Sequence, residues 1–321
     1  MAGKVVKLAG LSPGQVPEVL KPEAYFDFTA HPFAHEALFR RPGVNSVYAA
    51  ILAIGDYAKE WLARAIGRRK AQGSGLRMLT DAAPNDKAQV IGKFQVMLEG
   101  DAVFQPATII GSAAEEGRHA IYVESGASIL GSVIYLGEGD IYVGSGTTLE
   151  PGVGIKGPTI IGRNCEIRQG AYLRGNCILG DGCVIRGELK NVVLMDKANF
   201  PHPSYVGDSL CGYMTHFGNQ VTAANLGIYE GIRDPGKRKN LLVTVGDTAY
   251  DLGKPKMGVC MGDFSQLGCN SVPDPGTFLR PYTIAYSLTR LNKGFYGPRE
   301  VLKNKPMEHG VIERAPLKGL E

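Results

Sequence analysis

With 321 residues, 44% of them apolar and 21% charged, the chain can bury a large core without disulfides or metal clips. No apolar run approaches the roughly 20 residues that a membrane span needs, and the N-terminus lacks the apolar stretch of a secretory signal, so no membrane contact and a cytoplasmic location are expected. The net charge is only +4, and no segment interleaves Lys/Arg with aromatics as a nucleic-acid groove does, which argues against a polynucleotide partner.

The first predicted element is a helix. Ser46 can cap it, and an apolar face runs through Val47, Ala50, Ile51, Ile54, Ala58, Trp61, Leu62 and Ala65. Residues 1–100 read as a partly helical region that caps one end of a downstream repeat, a role that covers apolar surface and open strand edges; binding a partner or acceptor is the other reading.

Weak repeat lines begin near residue 100, as at Val123 to Ala127 and Ile129. From Val143 the chain falls into sixes, each opened by an aliphatic residue: Val143, Leu149, Ile155, Ile161, Ile167, Leu173, Leu179, Ile185. Four residues after each stands a small or β-branched side chain in all but the last line, such as Thr147, Thr159 or Ala171. The frame returns at Met261, Leu267, Pro273 and Leu279. A period of six fits neither a helix at 3.6 nor a lone strand at 2; it fits a short strand plus a turn, stacked coil on coil. The fold class is therefore mainly β, a parallel β-helix over residues 101–290, continuing into an extended tail over 291–321. Where the period lapses, at 191–205 and 227–257, loops are expected to leave the stack, and loops on a rigid scaffold commonly carry function.

The six cysteines form no CxxC pair, and Cys165, Cys177 and Cys183 fall at the small-residue slot, so they read as packing residues. His31 and His35 have i, i+4 spacing outside the repeat and read as packing or surface groups. No metal is expected.

Polar groups crowd around the first lapse: Lys190, His202, Tyr205, Asp208, His216 and Asn225. His202, on a predicted loop beside a tyrosine, reads either as a general base, since imidazole titrates near working pH, or as an inert surface histidine. Arg174 and Lys190 read either as a phosphate clamp or as solvated charge.

The order Arg174, Glu188-Leu189-Lys190, His202-Pro203-Ser204-Tyr205-Val206-Gly207-Asp208, Asn225 resembles that of hexapeptide-repeat acyltransferases. The likeness is to the acetyltransferase half of the bifunctional uridyltransferase/glucosamine-1-phosphate acetyltransferases and their archaeal sugar-phosphate relatives, over about residues 105–285. The resemblance implies a left-handed helix, a homotrimer with sites between subunits, and coenzyme A lying along the solenoid. It implies acetyl-CoA as co-substrate and a sugar phosphate or nucleotide sugar as partner. By the same resemblance His202 deprotonates the acceptor amine, Arg174 and Lys190 bind its phosphate, and Tyr205 and Asn225 position it; His216 is a further substrate-binding candidate. The expected activity is N-acyl transfer to an amino-sugar phosphate or nucleotide amino sugar, without pyrophosphorylase activity, because the glycine-rich signature of the nucleotidyltransferase half is missing.

Three features qualify the resemblance: His216-Phe217-Gly218-Asn219-Gln220 replaces the family's NIGAG-like stretch, Pro203 restricts the residue before it toward extended geometry, and the nucleotidyltransferase half is missing. A site that binds a sugar phosphate or sugar nucleotide without turnover is the alternative reading. A zinc hydratase on a related solenoid would need three convergent histidines, and only His202 and His216 lie near the site.

Overall fold

The computed structural model describes residues 4–73, 75–228 and 232–304. A parallel β-solenoid forms its body, with three strand ladders running the length of the stack. One ladder is a ten-stranded parallel sheet from Val103–Gln105 to Val301–Leu302. The other two merge into a single 17-stranded sheet, because Glu188–Leu194 and Tyr205–Cys211 each run across a corner and belong to both. The aliphatics that open the six-residue lines point inward: Leu149, Ile155, Ile161, Ile167, Leu173, Leu179 and Ile185 are fully buried in one continuous core. Each inward side chain rests on its counterpart one coil away, and adjacent rungs bond backbone to backbone, so the repeat satisfies burial and hydrogen bonding together.

The first lapse in the period is a shortening of the coils. Leu173 pairs with Leu189, and Leu189 with Val206, steps of 16 and 17 residues where Ile155 to Leu173 takes 18. Residues 191–205 therefore do not loop out, contrary to the expectation from the sequence. The missing residues are absorbed at the corner by Asn191 and Asp208, whose φ values of 51° and 49° turn the chain tightly. Asn and Asp tolerate this left-handed region better than other non-glycine residues. The second lapse does leave the stack: Leu242–Val245 and Thr248–Asp251 form a hairpin, joined in parallel by the N-terminal strand Lys4–Lys7.

Solenoid strands begin earlier and end later than the repeat suggested. Gln89–Ile91 and Phe94–Glu99 already pair in parallel with later rungs, and Leu76–Thr80 covers the open edge of Phe94–Glu99 in antiparallel fashion. At the other end Arg290–Leu291, Gly294–Tyr296 and Val301–Leu302 each pair with the preceding coil, so the chain to Leu302 is stacked where an extended tail was expected. The rest of that expected tail, 305–321, lies outside the described residues.

Helix α1 (Val47–Gln72) starts at Ser46, whose hydroxyl accepts from Ala49 N–H at 3.1 Å, and ends at Gly73 in the left-handed conformation. Where the sequence predicts a cap on one end of the stack, the N-terminal helix lies along the flank. α1 touches strands from Ile141–Val143 through Tyr205–Cys211. A row of outward side chains, Ile160, Ile178, Val193, Leu210, Cys260 and Phe278, is buried in one cluster with α1 and the segment before it, where Tyr25 meets Phe278. A solenoid face open to water would carry polar residues there. The row is legible in the sequence as Thr-Ile-Ile, Cys-Ile-Leu and Thr-Phe-Leu triplets at 159, 177 and 277.

Candidate active site

Asp208 organises the centre of the candidate site. Its left-handed backbone turns the carboxylate back along the corner, where it is buried. There it accepts from Lys190 Nζ at 3.1 Å, Asn191 Nδ2 at 3.1 Å and Asn225 Nδ2 at 2.7 Å. Charge-assisted bonds of this kind hold Lys190 and Asn191 from the preceding coil and Asn225 from the following one in one arrangement. Asn191 also reaches Ile51 carbonyl of α1 at 3.4 Å, so the flanking helix borders the site.

Tyr205 stands two residues before Gly207 on the same strand. A Cβ at Gly207 would lie 2.5 Å from the Tyr205 hydroxyl and 3.0 Å from Asn225 Nδ2. Only glycine lets the phenol lie across that position beside Asn225. Burial, then the negative charge of Asp208 and Glu188, raises the Tyr205 pKa, so the hydroxyl remains a donor at neutral pH. Two rungs from Tyr205, Arg174 donates from Nη1 to Glu188 on the rung between them at 2.6 Å, and this bond raises its pKa further. Both cations of the expected phosphate clamp are thus present on adjacent rungs, each steadied by a carboxylate.

His202 occupies the corner before Tyr205, and its side chain is exposed. Neighbouring coils pin this corner: Gln220 N–H donates to Pro203 carbonyl at 2.8 Å, and Glu188 N–H to Ser204 carbonyl at 2.9 Å. His216 points outward from the ten-stranded ladder next to Asn199. Its pKa is lowered, first by burial and then by the proximity of His202, while a backbone hydrogen bond at Asn199 opposes the shift. The sequence-derived candidates therefore form two groups. Lys190, Tyr205 and Asn225 meet around Asp208, with Arg174 beside them; His202 and His216 lie together at the opposite end of the Tyr205–Gly207 segment, about 7 Å of extended strand.

The altered glycine-rich stretch adds less bulk to the surface than its composition suggests. Phe217 is fully buried and stacks on Phe200 at 4.0 Å between ring centroids, so it fills the core; His216 is its outward member. Sequence reasoning missed Asn191 and the edge of α1 as parts of the site, and it gave Glu188, which stands in the quoted Glu188-Leu189-Lys190 run, no role of its own. Asn191 had a signal, an Asn one residue after a strand triplet, but the helix contact had none. His31 and His35 go to different partners: His31 stacks on Tyr213, and His35 is buried against Tyr57 and Trp61. Among the described residues no three His, Cys, Asp or Glu side chains gather as metal ligands do.

Residues 140–175 and 158–187 match the model of the bacterial transferase hexapeptide (six repeats) family. A bifunctional sugar-1-phosphate nucleotidylyltransferase/acetyltransferase of Sulfurisphaera tokodaii is 32% identical over 106 residues, which is 33% of this chain and 24% of that protein. The chain thus matches about a quarter of that relative's length. Among solved structures, the polySia specific acetyltransferase NeuO aligns at 10% identity and a TM-score of 0.28, over 74% of this chain and 93% of its own. The polysialic acid O-acetyltransferase OatWY aligns at 15% identity and 0.25, over 70% and 93%. The six-residue repeat thus matches the hexapeptide model over residues 140–187, the same residues that form observed coils of the solenoid.

Proposed function

We propose that this protein transfers an acyl group, acetyl in the simplest case, from a coenzyme A thioester to the amine of an amino-sugar phosphate or nucleotide amino sugar. The observation that carries the reading is the arrangement around Tyr205–Gly207. Cations on adjacent rungs, Arg174 and Lys190, stand at one end, and an exposed histidine on a pinned corner stands at the other. The match of the repeat to a transferase family and the acetyltransferase activity in the relative's name support it.

In this reading Arg174 and Lys190 hold the phosphate, Tyr205, Asn225 and His216 position the sugar, and His202 takes a proton from the acceptor ammonium. The freed nitrogen lone pair attacks the thioester carbon, the new C–N bond forms as the C–S bond breaks, and coenzyme A leaves with a proton as the thiol. An ammonium has no lone pair for this attack, so proton removal and phosphate anchoring supply activation and orientation. The Asp208 network keeps Lys190 and Asn225 in place without rearrangement during the reaction.

The test is release of free coenzyme A from acetyl-CoA with glucosamine 1-phosphate, galactosamine 1-phosphate and nucleotide amino sugars. Acceptor-dependent release is expected, falling by about 10²-fold or more in His202→Ala, the range for loss of a general base. Release that is equal in wild type and His202→Ala removes the histidine from this role. No release with any acceptor overturns the transferase reading itself.

A further inference from the structure

The two cations of the phosphate clamp belong to a longer series. Strand pairing aligns Ile155 with Leu173 and Leu173 with Leu189, so the next residues, Lys156, Arg174 and Lys190, occupy one column on three consecutive rungs. Rungs lie about 4.8 Å apart, so the column spans roughly 10 Å. The rung beyond Lys156 carries Tyr135 at the same position, and Lys156 Nζ sits over its ring, 5.2 Å from the centroid. A second ring borders this end: Tyr172 lies across Gly154, where a Cβ would come 3.1 Å from its Cδ2. The face holding this column is open; Arg174 is exposed, and Tyr135, Lys156, Tyr172 and Lys190 are partly so.

One phosphate needs one or two of these cations. Lys156 is held least: Glu138 is 3.9 Å away and mostly exposed, a pair that water screens. Arg174 is tied to Glu188 through Nη1, and a guanidinium has five N–H donors in a fork suited to phosphate oxygens. We infer that the column takes a diphosphate, and that the acceptor is a nucleotide-activated amino sugar. The sugar lies at Tyr205 and Asn225, the two phosphates run over Lys190, Arg174 and Lys156, and the nucleoside reaches the Tyr135 and Tyr172 rings. Three cations in line with aromatic rings at the far end match the order phosphate, phosphate, nucleoside; a sugar 1-phosphate would leave Lys156 and both rings without a function.

This inference rests on the proposed transfer reaction and is tested apart from it. With UDP-glucosamine and glucosamine 1-phosphate as competing acceptors, wild type is expected to favour the diphosphate in kcat/KM. In Lys156→Met, which keeps the aliphatic stem over Tyr135, that preference falls about tenfold, mostly through the KM for UDP-glucosamine, as loss of one charge-assisted contact predicts. Preference for glucosamine 1-phosphate in wild type, or a preference that Lys156→Met does not change, overturns the inference and leaves the transferase reading standing. Calorimetric titration with UDP alone decides the matter if no acceptor is turned over. Binding weakened about tenfold by Lys156→Met supports the diphosphate site, and absent or unaltered binding rejects it.

Discussion

His35 shows how one buried side chain couples this fold to pH. It is enclosed by Phe33, Tyr57 and Trp61, with Nδ1 3.1 Å from the Tyr57 hydroxyl, and burial lowers its pKa from 6.5 to about 4. Between those values the unfolded chain binds a proton that the native protein does not, so acid favours unfolding. The stability at stake is fully present above pH 6.5 and is lost as pH falls toward 4, about 3 kcal/mol in total. Urea midpoints at pH 7 and 4.5 are expected to differ less in His35→Gln than in wild type; parallel losses in the two proteins would show that this imidazole is not the coupled group. Asp208 illustrates a different kind of legibility. Its identity was on view in the Tyr-Val-Gly-Asp run, but its use as the shared acceptor for Lys190, Asn191 and Asn225 depends on a left-handed turn stacked between neighbouring coils.

At the scale of elements, the flank packing of α1 decides what the outward apolar row is for. Ile178 points away from the solenoid interior yet is fully buried, packed in the same cluster as Ile51, Ile54 and Leu62 of the helix. Ile178→Ala is therefore expected to cost about 3 kcal/mol, as for a core site, measured by urea or thermal unfolding. A change within about 0.5 kcal/mol, the size for an exposed position, would mean the helix does not hold this face. The helix itself was readable, since Ser46 and the spacing of Val47, Ala50, Ile51, Ile54 and Ala58 mark its start and face. Its destination was not, because an apolar stripe specifies that a partner exists without specifying which surface of the solenoid supplies it.

For the molecule as a whole, the N-terminal region and the solenoid form a single packing problem. Strand Lys4–Lys7 pairs with the hairpin of the 227–257 insertion, and α1 crosses several coils, so both ends of the region are anchored to distant parts of the stack. Arg69 near the end of α1 adds ion pairs to Glu99 at 3.5 Å and Glu124 at 3.0 Å, on two successive rungs. A variant lacking residues 1–73 would uncover Ile160, Ile178, Val193, Leu210 and Phe278 together, a contiguous apolar strip of the kind that drives association. Strong binding of a hydrophobic dye and aggregation are expected; a soluble variant that melts at the wild-type temperature would contradict the account.

The six-residue period by itself determined the coil architecture, because a side chain that must rest on its counterpart one rung away imposes its chemistry on every line from Val143 onward. The order of Arg174, Lys190, His202, Tyr205 and Asn225 likewise picked out the candidate site in one dimension. Tertiary structure alone decided that the lapse at 191–205 is a pair of shortened coils, that α1 lies on the flank, and that Lys156, Arg174 and Lys190 share a column. The physical reason is the same in each case: register between coils depends on how many residues each corner consumes, and coils that take 15, 16 or 17 residues in place of 18 are set by backbone turns and stacking that no single line of the repeat encodes.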